Sequence, residues 1–233
     1  MSLYDRDYSN SKTQEFEGYA RSDLSIFIKQ TYQLFAASLL AATAGAYIGI
    51  FALAHLFAQS QATFWILFIV EIGLLFALQW KKREAPLNLI LLFGFTFCSG
   101  LTLTPLLYSV LALPAGASII AQAFALTTVA FGALSIFAMN TKKDFTMMGK
   151  MLFVALIVIV VASLINLFFQ SSLLSLAISG IGAILFSFYI LYDTQNIIRG
   201  NYETPIEGAV ALYLDFINLF ISLLNILRSF NSR

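Results

Sequence analysis

The stretch AVALYLDFINLFISLLNIL, residues 209–227, decides how the chain is read. It approaches the roughly 20 apolar residues that a helix needs to cross a bilayer, yet it carries a carboxylate, Asp215, well inside the run. An ionisable group at that depth is costly, and the default reading of one is function. Helical spacing sets Asp215, Asn218, Ser222 and Asn225 along one face, a polar seam on an otherwise apolar rod. Such a seam faces protein or a water-filled path, not lipid. For the two asparagines and the serine, contacts between helices are explanation enough. For the carboxylate the cost of burial is far greater than for an amide, so a functional role is the stronger reading.

Outside this stretch the composition says the same. Apolar residues make up 60% of the 233 and charged residues only 11%, against about 25% charged in soluble domains. The expected fold is all-α, an integral membrane protein in contact with the lipid bilayer. A net charge of +1 with no basic patch excludes a nucleic-acid footprint. One cysteine, Cys98, excludes an intrachain disulfide. One histidine, His55, leaves no His-based metal site or triad. Neither a phosphate-loop nor a dinucleotide-binding glycine spacing is present. Residues 1–25 mix acids and bases without the short apolar core of a signal peptide, so residues 1–27 read as a polar tail before a transmembrane domain over 28–233.

Seven apolar stretches emerge at residues 28–57, 64–80, 87–111, 118–139, 147–169, 173–192 and 209–227. The sixth has room to continue to Ile198 before Gly200 and Pro205 stop it. Arg6, Lys12, Arg21 and Lys29, then Lys81, Lys82 and Arg83, then Lys142, Lys143, Lys150 and Arg199 all fall on one side of this arrangement. The opposite loops carry no Lys or Arg, and only Arg228 and Arg233 lie beyond the seventh span. Basic loops stay cytoplasmic, which puts the N-terminus inside and the C-terminus outside.

Three acidic residues lie deep in the spans: Glu71, Asp193 and Asp215. Asp193 precedes Arg199 by about 9 Å of helix, and Asp215 follows Glu207 by about 12 Å. Antiparallel sixth and seventh helices therefore bring both to similar depth, while Glu71 lies deeper, about 15 Å before Lys81. A cluster of three carboxylates with Lys81, Lys82 and Arg83 at its mouth is the expectation. Two carboxylates in a low-dielectric site cannot both ionise cheaply, so the pair can share a proton. Deprotonated, the same oxygens suit a hard cation such as Ca²⁺. The chemistry admits two roles, a proton-sensitive cation gate or a latch that only joins two helices. Tyr189, Asp193 and Asn196 share a face, and Thr102, Thr104 and Pro105 mark a kink or a hydrated wall in the third helix.

Four segments in order, SGLTLTP at 99–105, TKKDFTMMGKMLFVAL at 141–156, YILYDTQNI at 189–197 and LYLDFINLF at 212–220, resemble the Bax inhibitor-1 family of transmembrane Bax inhibitor motif proteins, including its bacterial members. The resemblance implies seven transmembrane helices with the C-terminal helix held in the centre, in a bacterial plasma (inner) membrane. It implies that Asp193 and Asp215 are a pH-sensing pair that opens and closes a calcium leak, with calcium as the transported or bound ion and Glu71 contributing to cation binding. The family's basic latch residue maps onto Lys82, where lysine stands for arginine and lacks its bidentate fork; Arg83 is the neighbouring substitute.

The leading expectation is thus a passive, pH-sensitive cation (calcium) leak channel and not an enzyme. The alternative is a membrane interaction protein modulating a membrane-bound ATP-dependent protease, with the tail and its Tyr4, Tyr8 and Tyr19 as docking element. An intramembrane aspartic dyad is a third, weaker class with no second motif to support it.

Overall fold

A computed structural model describes the backbone of residues 3–231 and the side chains of residues 22–231. The expectations for Tyr4, Arg6, Tyr8, Lys12, Tyr19, Arg21 and Arg233 concern side chains outside that range. Nine α-helices are present among the described residues: α1 (Leu3–Phe51), α2 (Ala54–Gln59), α3 (Gln61–Lys81), α4 (Leu87–Thr102), α5 (Thr104–Leu111), α6 (Gly116–Asn140), α7 (Gly149–Phe169), α8 (Ser172–Ile198) and α9 (Pro205–Asn231). Seven segments are long and apolar enough to span a membrane, and α4 with α5 forms one of them. The chain is an all-α, multi-pass membrane protein.

Two boundaries differ from expectation. The first span ends at Phe51 and the chain turns into the short α2 instead of continuing to residue 57. The third span breaks at Leu103, where Pro105 supplies no backbone N–H to continue the ladder. Leu103 itself keeps right-handed helical dihedrals (φ −72°, ψ −15°), so the expected kink is a one-residue interruption within a single span. At the other end α1 is helical from Leu3, and Ser22–Phe51 within it is long and apolar enough to span a membrane.

α9 is the hub. It packs against α8, α1, α6 and α4, and Ala209, Leu212, Tyr213 and Leu224 along it are fully enclosed. Phe216 sits in an aromatic cluster with Phe35 of α1 and Phe124 and Phe131 of α6. Lipid supplies no hydrophobic drive between helices, so close packing has to hold them together. α1 and α4 show how. A Cβ on Gly100 would collide with the Ala42 carbonyl, and one on Gly45 with the Phe97 carbonyl. Only glycine permits that approach of two backbones.

The α8–α9 turn places the carboxylates. Gly200 (φ +67°) ends α8 in the left-handed region, with Gly200 N–H donating to the Ile197 carbonyl (3.1 Å) and Asn201 N–H to the Asn196 carbonyl (2.9 Å). Thr204 then caps α9, its Oγ1 accepting from Glu207 N–H (3.2 Å), and Pro205 occupies the first helical position. The two helices are thereby forced antiparallel and adjacent.

Candidate functional site

Asp193 on α8 and Asp215 on α9 are 5% and 3% exposed, and their carboxyl groups face each other within hydrogen-bonding range. Tyr202, in the turn between the two helices, donates from its hydroxyl to Asp193 Oδ1 at 2.6 Å. Asp215 Oδ2 is buried and receives no donor among the described groups. Burial pushes the Tyr202 phenol above its ordinary range, so it remains a donor at any physiological pH.

The pair lies on the wall of a slot of about 900 Å³. The slot is lined by α3 from Phe64 to Gln79, by α9 from Glu207 to Ile221, and by parts of α4, α5, α7 and α8. Its depth along α3 is about 22 Å. Four carboxyl-bearing residues line it, Glu71, Asp193, Glu207 and Asp215, and none of its lining residues is Lys, Arg or His. Tyr189 and Asn218 also line it, but the Asn218 amide donates to its own helix at the Leu214 carbonyl (2.7 Å).

Several expectations are redrawn. Glu71 does not join the aspartates: its Oε2 accepts from Thr102 Oγ1 at 2.7 Å. The reason lies in packing, since α3 leans on α4 and makes no extensive contact with α9. Among the described residues no three His, Cys, Asp or Glu side chains converge to hold a metal ion. The expected cluster of three is a pair and a single carboxyl on the walls of one slot.

Lys82 and Arg83 are not partners of the aspartates either. Lys82 Nζ meets Glu203 Oε2 at 3.0 Å and Glu207 Oε1 at 3.1 Å, and Arg83 meets Glu203 at 2.9 Å. Lysine therefore clasps the α8–α9 turn from outside. Its hydrogen bonds to Glu203 and Glu207 push its own pKa up, and the bond from Lys82 holds Glu203 down. Asn196 serves the turn, accepting from Asn201 Nδ2 at 2.9 Å. Ser222 faces Gly182, and Asn225 borders a separate cavity of about 340 Å³ at the other end of α9 with Arg228 and Asn166. The polar seam of α9 thus divides between the slot, a helix contact and a second cavity.

Sequence reasoning missed Tyr202, an aromatic in a short loop with no periodicity to mark it. It also missed the use of Thr102 as the donor to Glu71; the interrupted helix was the available signal. Gln195 pins the loop before α7: it accepts from Phe145 N–H (2.7 Å) and donates to the Lys143 carbonyl (2.8 Å). In the same loop Asp144 is held down to about 2, first by its bond from Arg199 at 2.8 Å.

An antiparallel pair of helices carrying two facing buried carboxyls, inside a seven-span bundle, defines a class of multi-pass membrane protein with an intramembrane acidic centre. Residues 24–232 match the family described as "Inhibitor of apoptosis-promoting Bax1", and the chain belongs to this Bax inhibitor-1 family. It is 84% identical over its full length to an uncharacterized protein of Campylobacter jejuni, all of which is covered. An uncharacterized membrane protein of Vibrio cholerae is 39% identical over 88% of this chain and 90% of its own. Mouse protein lifeguard 4 is 32% identical over 89% of this chain and 86% of its own.

Proposed function

We propose that the protein is a passive, proton-sensitive cation leak, with Ca²⁺ as the cation its oxygens suit best. One observation carries this reading: two facing buried carboxyls on the wall of a long slot whose lining has four acidic residues and no basic one. Ca²⁺ takes about 6–8 oxygen ligands. The pair offers fewer, so it suits a cation in transit, completed by water, better than one held tightly. A proton and a cation compete for the same carboxyl oxygens. Once a proton is shared across the pair, Asp193 and Asp215 form a neutral hydrogen-bonded contact between α8 and α9; without it their repulsion is relieved by a cation.

Around the pair stand Tyr189 and Tyr192 of α8 and Tyr202 of the turn, and Glu71 of α3 and Glu207 of α9 line the same slot. The Lys and Arg content of the loops supports an N-terminus in the cytoplasm, and the bacterial relatives support a plasma (inner) membrane location. Modulation of a membrane protease would engage the N-terminal region, and no feature of the slot calls for it.

Ion selectivity tests the proposal. Reconstituted protein is expected to pass Ca²⁺ and monovalent cations and to exclude chloride. Equal chloride flux would contradict an acidic path.

A further inference from the structure

The walls of the slot are far more apolar than an ion path requires. Phe64 and Phe68 of α3, Leu156 and Val160 of α7 and Phe186 of α8 line it over most of its length. α3 packs on α4 and α7 packs on α8, but α3 and α7 make no extensive contact with each other. Phe68 and Val160 accordingly remain 38% and 46% exposed although both line the slot. Both helices are apolar spans, so the gap between them opens toward where bilayer acyl chains would lie, and Lys82 pairs with Glu207 at one end of the slot.

Asp215, on a side chain that is 3% exposed, borders the slot, and when the pair is ionised its Oδ2 has no donor among the described groups. An ammonium in the slot would supply the positive charge that the two facing carboxyls otherwise obtain only from a shared proton, through a charge-assisted hydrogen bond. A hydrated metal ion gains nothing from the aromatic and aliphatic walls. A zwitterionic phospholipid would bring its phosphate among Glu71, Asp193, Glu207 and Asp215 with no lining cation to meet it. A single alkyl chain ending in a protonated amine satisfies both surfaces, and a volume of about 900 Å³ lies in the 300–1,000 Å³ range of ligand sites.

We infer that this slot is a binding site for a long-chain alkylamine, which enters between α3 and α7 and places its ammonium on the Asp193–Asp215 pair. The inference does not require that ions pass through the protein, and its test involves no flux.

Trp65 reports on the site, its ring centroid lying 5.4 Å from that of Phe64 and 6.1 Å from that of Phe68. Trp80→Phe makes Trp65 the sole reporter, since the chain has 2 tryptophans. A brominated hexadecylamine is titrated into the full chain in detergent micelles at pH 7, beside the brominated alcohol of equal chain length. Saturable quenching by the amine is expected, with at least tenfold weaker binding of the alcohol. Asp193→Asn with Asp215→Asn is expected to weaken the amine at least tenfold while leaving the alcohol unchanged. Equal binding of amine and alcohol, or quenching that never saturates, overturns the inference, as does full amine affinity in the folded double variant. If the double variant does not fold, the amine–alcohol comparison on the Trp80→Phe protein decides.

Discussion

Tyr202 donates a 2.6 Å hydrogen bond to Asp193 from the turn that joins α8 to α9, so the loop itself supplies the partner for a carboxylate buried in the preceding helix. Tyr202→Phe removes that oxygen and little else. Asp193 Oδ1 is then buried with no donor, a situation that costs about 1–3 kcal/mol. A lowered unfolding temperature in detergent, without loss of helical content, is the expected result; an unchanged one would mean the bond contributes nothing net.

The clasp of Lys82 with Glu203 and Glu207 does not sense pH in the physiological range. Lys82 is raised above its ordinary value, so its contribution is complete below the unfolded pKa of about 10.4 and is lost only as pH climbs through the raised value. Glu203 is lowered, so its contribution is complete above about 4.3 and is lost only as pH falls through the lowered value. Between pH 5 and 8 both stay charged. Lys82→Met is therefore expected to leave the pH dependence of calcium flux intact, whatever it does to the amount of flux. Disappearance of the dependence in this variant would move the sensor from the aspartates to the clasp.

Two glycines separate packing from propensity. Gly100→Ala would drive a methyl into the Ala42 carbonyl on α1, and overpacking of this kind costs about 1–3 kcal/mol. Gly73→Ala meets nothing within 4 Å and is expected to be neutral or to stabilise by up to about 1 kcal/mol through helix propensity. Thermal unfolding of the two variants side by side checks both signs.

The orientation proposed from the basic loops is tested by labelling. On a Cys98→Ser background, Ser172→Cys is expected to react with a membrane-impermeant thiol reagent applied outside intact cells, and Asn201→Cys is not. The reverse labelling would invert the assignment.

Much of this was readable in the residues because membrane helices announce themselves by length and apolarity, and because a carboxylate at depth is conspicuous. The depth argument brought Asp193 and Asp215 level, and the tight turn at Gly200 and Thr204 then made them neighbours. Depth alone says nothing of azimuth, which is why Glu71 was placed in the cluster when its helix in fact leans on α4 and its carboxyl on Thr102. Lys82 was misassigned for a related reason. The resemblance mapped the family's latch onto it, but the acidic turn at Glu203 and Glu207 lies nearer to its ammonium than the buried pair does. The kink at Leu103 could be foreseen from Pro105, and the helical dihedrals of Leu103 keep it within one span.

Calcium flux into proteoliposomes between pH 5 and 8, for the native protein and for Asp215→Asn, bears most directly on the central claim. Asparagine keeps the shape of the side chain but has no proton to lose. The native protein is expected to conduct less as pH falls and protons displace the cation from the pair, and the variant is expected to show no pH dependence. A variant that conducts with the native pH profile, or a native protein silent at every pH, would contradict the aspartate pair as a proton-sensitive gate.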